Sequence, residues 1–184
     1  SAQIGGTVVA LLVFFAFFAA YVVPYDPFDV QTDRRLTPPN LQHPFGTDEL
    51  GRDLFSRILY GARYTLMIGL IVTGISSIGG FIFGMGAGYW GGWPDMLVMR
   101  LIDIMLSFPY ILLALSIVAI LGPSLINAMI AVGIAGIPSY ARLIRGLVLS
   151  AKEGEYVLAA RAIGSKNSRI AFRTILPNIM SPLV

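Results

Sequence analysis

Long apolar stretches separated by polar segments dominate this 184-residue chain. Runs with at most one charge cover residues 4–23, 64–89, 101–121 and 125–141. Each is close to or above the roughly 20 helical residues that cross a hydrocarbon core about 30 Å thick. Lipid offers no partner for backbone polar groups, so each run is expected to be a helix. The pattern predicts an all-α membrane protein, a polytopic transmembrane helical bundle with four spans and the start of a fifth, truncated span from residue 179.

The two long polar segments differ in basic content. Residues 25–63 carry five Arg against six carboxylates, whereas 142–178 carry seven Lys or Arg against two Glu. The positive-inside rule therefore places 142–178 in the cytoplasm and 25–63 outside. A helical pattern from Asp53 onward predicts an interfacial helix at the end of the external loop. The expected organisation is transmembrane helix 1 over 1–24, the loop over 25–63 and a transmembrane domain over 64–184.

Composition narrows the function classes. A chain that is 56% hydrophobic and 12% charged is not a soluble domain. The absence of cysteine excludes disulfides and cysteine-based metal sites. The net charge of +3 follows from the topology, and no nucleic-acid-binding motif accompanies it, so no nucleic acid is expected as a partner. The first apolar run has no basic residues before it and is longer than the roughly 7–15 residues of a signal peptide, which favours a span.

Small and charged residues mark expected helix contacts. Gly80, Gly84 and Gly88 recur every four residues and predict close helix packing, with a glycine-lined transport path as the alternative. Arg100 and Asp103 are three residues apart, so a structural ion pair between them is expected. Pro109 and Pro138 predict kinks.

The segment from Lys152 to Gly164 is typical of a short amphipathic helix. Acidic residues come first and Gly164 stands where such a helix would end. Tyr156, Ala160 and Ile163 are spaced to share one face, forming a small apolar ridge that suits a groove on another protein. The basic residues nearby either pair with acidic groups of that partner or only enforce the topology.

The residues Ala159-Ala160, Gly164 and Leu176-Pro177 resemble the cytoplasmic "EAA" loop of binding-protein-dependent ABC importer permeases. The external Gly46-Thr47-Asp48 and Gly51-Arg52-Asp53, with Gly88-Tyr89-Trp90-Gly91-Gly92, are similar to the C-type permease of dipeptide, oligopeptide and nickel importers. One departure is Leu158, which replaces the Glu of the motif.

This resemblance implies a type I ABC importer permease fold, with six spans, in a bacterial or archaeal cytoplasmic membrane. It implies a homologous second permease subunit, two ABC ATPase subunits and an extracytoplasmic solute-binding protein as partners. The coupling loop over 142–178 would dock on the ATPases. The docking residues implied are Glu155, Tyr156, Ala159, Ala160, Ile163, Gly164, Leu176 and Pro177.

No catalytic site is expected in the chain. A GxxxxGK[ST] phosphate loop is missing, so ATP and Mg belong on the partner subunits and no cofactor is expected here. An ion-coupled secondary transporter or a channel is the alternative, but the spans carry almost no charge at mid-depth. The single histidine, His43, is interpreted as an ordinary surface residue. The membrane serines have no partner histidine there, which argues against an intramembrane enzyme. The sequence leaves the choice among dipeptide, oligopeptide, nickel or another solute open.

Overall fold

The computed structural model of the chain is helical over most of the part that it describes. The described residues are 5–7, 10, 13–14, 18 and 23–180. Among them, the β-type pairing is a single isolated bridge between Thr47 and Asp53. The chain divides into two compact units, Ser1–Leu70 and Ile71–Val184. The prediction of an all-α protein is confirmed.

The first unit contains the predicted first span and the polar loop. Most of residues 1–24 lie outside the described residues, and the described ones before residue 23 are helical. The loop that follows contains a short 3₁₀ helix, Thr32–Arg34. Helix α1, Leu54–Trp90, begins in this unit.

Helix α1 begins where the chain supplies a cap. The Asp53 carboxylate accepts a hydrogen bond from the Ser56 backbone N–H at 2.7 Å, as a capping side chain does for the third residue of a helix. An interfacial helix separate from the span over 64–89 was predicted, whereas the structure has one continuous helix. The reason is that α1 contains no proline at which it would end.

The predicted span over 101–121 is not one straight helix. Helix α2, Gly92–Leu106, and helix α3, Tyr110–Leu121, meet at a 94° bend. Pro109 lies at this break, because it has no N–H to donate and disfavours helical backbone at the residue before it. The kink expected near Pro109 is therefore a complete break.

Helix α4, Leu125–Lys152, is longer than the predicted span over 125–141. The Ser124 hydroxyl caps its start by accepting from the Asn127 N–H at 3.1 Å. Pro138 lies inside α4 without ending it.

Short helices follow α4. They are α5, Glu155–Ala162; α6, Asn167–Arg169; a π-helix, Ile170–Ile175; and α7, Leu176–Met180. The fifth span predicted from residue 179 lies almost wholly outside the described residues.

Length and hydropathy identify the helices that suit a bilayer. In the described part of the chain, α1 and α4 are each long and apolar enough to cross a membrane, and the bent pair α2 and α3 makes a third crossing if it is counted as one. The structure is thus consistent with a helical membrane protein.

The core of the second unit joins elements that are far apart in sequence. It contains side chains from the end of α1, from α4, from α5, from the π-helix and from α7. The buried members are Met85, Tyr89, Ile144, Val148, Val157, Ile170, Ala171, Ile175 and Ile179. Because α5 contributes Val157 to this core, it is packed as part of the unit.

Glycines allow α1 and α4 to approach closely. A Cβ placed on Gly84 would lie 2.5 Å from the Ala141 carbonyl oxygen, and one on Gly88 would lie 2.9 Å from the Val148 Cβ. A Cβ on Gly80 would clash with Tyr140 in the same way. The three glycines therefore form the contact surface of α1 against α4, as close packing of membrane helices requires.

Candidate functional site

Helix α5 ends in a glycine-dependent cap. The Ser165 N–H donates to the Ala160 carbonyl at 3.1 Å, and the Gly164 N–H donates to the Arg161 carbonyl at 2.9 Å. These two bonds make a Schellman motif, in which the residue after the cap is left-handed. Gly164 has φ +75°, a conformation that suits glycine. The predicted short helix and its end at Gly164 agree with the structure.

The faces of α5 differ from the prediction at one position. Val157 is fully buried, and Ala160 is half-buried against the same core. Tyr156, Ala159 and Ile163 are exposed, with Ile163 81% accessible. The exposed apolar ridge therefore consists of Tyr156, Ala159 and Ile163, and Ala160 supports it from behind. The prediction that Ala160 lies on the ridge is wrong because the helix is rotated to bury Val157.

Other exposed residues of α5 lie outside the ridge. Leu158, at the position of the family Glu, is 55% exposed. The Tyr156 ring lies over Gly154, where a Cβ would come within 2.5 Å of its Cε1 atom. Glu155 is exposed in the first turn, where a carboxylate complements the helix dipole.

Leu176 and Pro177 begin α7. Leu176 packs against the core, and Pro177 is exposed. Leu176 thus helps to hold the loop in place and contributes little surface of its own.

Basic side chains are exposed on α5 and after it. In the part of the chain that the structure describes, no ion pair involves Arg161, Lys166, Arg169 or Arg173. An open cavity of about 360 Å³ is lined by Ser168, Arg169, Phe172 and Arg173. The surface around the ridge is therefore apolar at its centre and positive beside it.

The predicted ion pair between Arg100 and Asp103 is not formed. Asp103 is paired with Arg142 instead, with Nη2 2.6 Å from Oδ1. Arg145 in α4 makes a second pair with Asp95 in α2. Sequence spacing favoured Arg100 as the partner of Asp103. Because α2 packs on α4, an arginine of α4 pairs with Asp103 instead.

In the first unit, Asp48 organises the loop before α1. Its carboxylate accepts hydrogen bonds from the Leu50 N–H at 2.9 Å and the Arg52 N–H at 3.0 Å, and it pairs with Arg52 and Arg57. Burial alone would raise the pKa of Asp48, but the hydrogen bonds and the charge of Arg52 outweigh it and lower the pKa to about 2.

His43 is buried, contrary to its interpretation as a surface residue. It is 5% exposed, and its Nδ1 lies 2.9 Å from the Asp53 carboxylate. The Tyr25 ring packs on the imidazole at a centroid distance of 4.9 Å. Burial raises the pKa of Asp53, but hydrogen bonds from Ser56 and from His43 outweigh it, and the net pKa is lowered. Pairing across ten residues of loop gives no periodic signal, so sequence reasoning missed it.

The glycines of the external motifs have a conformational role. Gly46 has φ +74° and Gly51 has φ +75°. A Cβ on Gly46 would lie 2.5 Å from the Thr37 carbonyl, and one on Gly51 would clash with the Gln31 backbone. These residues close the loop on itself before α1.

The described residues contain no group of three or more His, Cys, Asp or Glu side chains that could hold a metal ion.

Known proteins resemble the chain over its whole length. Residues 80–184 match the family model of the binding-protein-dependent transport system inner membrane component, and residues 1–39 match the N-terminal TM domain of oligopeptide transport permease C. The dipeptide transport system permease protein DppC of Alkalihalophilus pseudofirmus is 45% identical over 183 residues, covering 100% of this chain and 60% of the relative.

Two further relatives are also permease proteins of peptide or glutathione transport systems. The di/tripeptide transport system permease protein DppC of Pseudomonas aeruginosa is 47% identical, covering 95% of this chain and 59% of its own. The glutathione transport system permease protein GsiD of Pectobacterium atrosepticum is 43% identical, and the match covers 97% of this chain and 60% of the relative. The chain thus spans about 60% of the length of these relatives. The family match and these identities show that the chain belongs to the inner membrane components of binding-protein-dependent transport systems.

Proposed function

We propose that the chain is part of the permease subunit of an ABC importer for short peptides, in which the ridge of Tyr156, Ala159 and Ile163 docks on an ATPase subunit. The observation that carries the proposal is the two-sided construction of α5. Its inner face is fixed in the core by Val157, while its outer face presents apolar side chains to solvent. An apolar helical face of this kind suits insertion into a groove on a partner.

The proposed complex follows from the family. Two ATPase subunits bind ATP and Mg, a second permease completes the pathway, and a solute-binding protein delivers the peptide. The loop over 25–53 faces the outside, and the surface of α5 faces the cytoplasm of a bacterium or archaeon. Four spans and the start of a fifth, in a type I permease fold, are the proposed topology. The names of the relatives support dipeptides and similar short peptides as the substrate.

The basic residues beside the ridge suit an acidic rim on the ATPase. Arg161 lies on α5 itself, and Arg169 and Arg173 follow it. Charges at the edge of an interface mainly speed association and select the partner, whereas the apolar centre supplies most of the affinity.

A charge on the ridge tests the proposal. The full-length subunit carrying Ile163→Glu, coexpressed with its partners, is expected to lose copurifying ATPase while keeping its level in the membrane. Burying an unpaired carboxylate in the interface costs several kcal/mol, which is enough to dissociate it. Leu41→Glu is the matched control, since Leu41 is fully exposed on the loop of the first unit. Unchanged ATPase binding by Ile163→Glu would contradict docking through the ridge.

A further inference from the structure

Tyr89 lies where the transmembrane helices meet the coupling loop. It belongs to the last turn of α1, and the residue is 9% exposed. The ring shares a core with Val148 of α4, Val157 of α5 and Ile170 of the π-helix. Tyr89 is therefore in the same packed cluster as the inner face of α5.

The Tyr89 hydroxyl ties this position to the chain just beyond α5. It donates to the backbone carbonyl of Asn167 at 3.0 Å, and the Asn167 Oδ1 atom lies at 3.2 Å. The two residues are 78 positions apart in sequence. Asn167 begins α6, directly after the turn in which Gly164 ends α5. A displacement of α5 therefore acts on a segment bonded to α1.

Lys152 makes a second set of hydrogen bonds to the end of α1. It is the last residue of α4, and its Nζ donates to the carbonyls of Gly88 at 3.0 Å and Tyr89 at 2.8 Å. These carbonyls are at the end of α1, where intrahelical donors run out and a positive charge is favourable. The ends of α1 and α4 and the start of α6 thus meet within one hydrogen-bonded junction.

We infer that Tyr89 is a positioning residue for energy coupling: its hydroxyl transmits displacement of α5 to the cytoplasmic end of α1. The inference rests on the proposed function. The packed ring alone keeps the loop from separating from α1. The directional hydrogen bond to Asn167 also fixes how the loop is oriented on α1. The hydroxyl is thus distinct in role from the exposed ridge, which contacts the ATPase.

The test uses Tyr89→Phe in the full-length subunit, assembled with its partners in liposomes. The phenyl ring keeps the packing and removes only the hydroxyl. The quantity measured is radiolabelled dialanine taken up per ATP hydrolysed, with the binding protein supplied. This ratio does not depend on how much of the complex is active. Tyr140→Phe is the matched control, because no hydrogen bond from the Tyr140 hydroxyl is found among the described residues.

The expected result is a coupling ratio about fivefold lower in Tyr89→Phe, since loss of one hydrogen bond changes an equilibrium constant by about that factor. ATPase binding should be retained, and Tyr140→Phe should match the wild type. Lys152→Met is expected to lower the ratio as well, with Lys152→Arg restoring most of it.

Two results would overturn the inference. One is a wild-type ratio in Tyr89→Phe, and the other is loss of ATPase binding by that variant, which would mean a purely structural role. Failure of the proposed function is a separate result, because the wild-type complex itself would then bind no ATPase or show no ATP-dependent uptake.

Discussion

Arg145 and Asp95 form a two-point ion pair between α4 and α2, with Nε to Oδ1 and Nη2 to Oδ2 both at 2.6 Å. The residues are 50 positions apart, and both side chains are partly shielded from solvent. The planar guanidinium matches the carboxylate, so the contact fixes orientation as well as distance. This pair fixes the start of α2 against α4.

Replacing Arg145 by Lys should therefore destabilise the protein although the charge is kept. An ammonium cannot make both contacts, and a lost charge-assisted hydrogen bond costs about 1.5–3 kcal/mol. Thermal unfolding in detergent measures the change. Arg142→Lys is the control, because its pair with Asp103 is more than half exposed and should contribute less than about 1 kcal/mol. Equal effects of the two substitutions would contradict the special role of Arg145.

Gly84→Ala should weaken the packing of α1 on α4. The added Cβ would lie 2.5 Å from a backbone oxygen of α4, so the helices must separate, at a cost of about 1–3 kcal/mol. Gly74→Ala lies on the same helix, and in the part of the chain that the structure describes nothing lies within 4 Å of its Cβ position, so it is expected to be neutral or slightly stabilising. Resistance to unfolding in detergent measures both. The close contact would be refuted by a Gly84→Ala protein as stable as Gly74→Ala.

Gly164→Val should disturb the end of α5 through its backbone alone. No atom of the described residues lies within 4 Å of the added Cβ, but φ +75° costs a β-branched residue about 1–2 kcal/mol or more. Under the proposed function, ATPase stimulation by peptide-loaded binding protein is expected to fall in Gly164→Val and to be largely kept in Gly164→Asn, since Asn tolerates this conformation. Equal activity of the two variants would show that the cap is not needed.

Acid should loosen the loop before α1. The pKa of Asp48 is lowered from 3.8 to about 2, so its contribution to stability is complete above the ordinary value and is lost as the pH falls through about 2. Pepsin cleavage within residues 25–53, followed from about pH 4 down to about pH 2, should increase as Asp48 is protonated.

A matched pair of variants tests that assignment. Asp48→Asn should be cleaved readily even at the upper end of this range, because it lacks the carboxylate throughout. Glu49→Gln, which removes an exposed neighbouring carboxylate, should behave as the wild type. If both variants kept the wild-type profile, another group would control the loop.

The sequence predicted the elements that depend on local rules. The helix from Glu155 and its end at Gly164 follow from apolar spacing and from the backbone freedom of glycine. The rotation of that helix was not predictable in the same way. Ala159 and Ala160 are equally small and apolar, so only the burial of Val157 in a core built from distant segments decides which alanine faces out.

Long-range partners explain the remaining differences. Asp103 pairs with a residue 39 positions later, and His43 is covered by Tyr25 and held by Asp53. No short-range pattern in the sequence predicts such contacts. The break at Pro109 was visible in the sequence as a proline, but the 94° change of direction depends on how α3 packs along α4.

The π-helix Ile170–Ile175 has a consequence for how the chain tolerates changes in length. Each of its turns holds about one residue more than an α-helical turn, and with this wider winding Ile170, Ala171 and Ile175 are all buried. Removing a single residue here would return the segment to ordinary winding and leave the direction of the downstream chain almost unchanged, because the wider turn already accommodates one extra residue. Ile179 would then keep its place in the core, so this short stretch can accept a one-residue deletion that would rotate an ordinary α-helix by about 100° beyond the deleted residue.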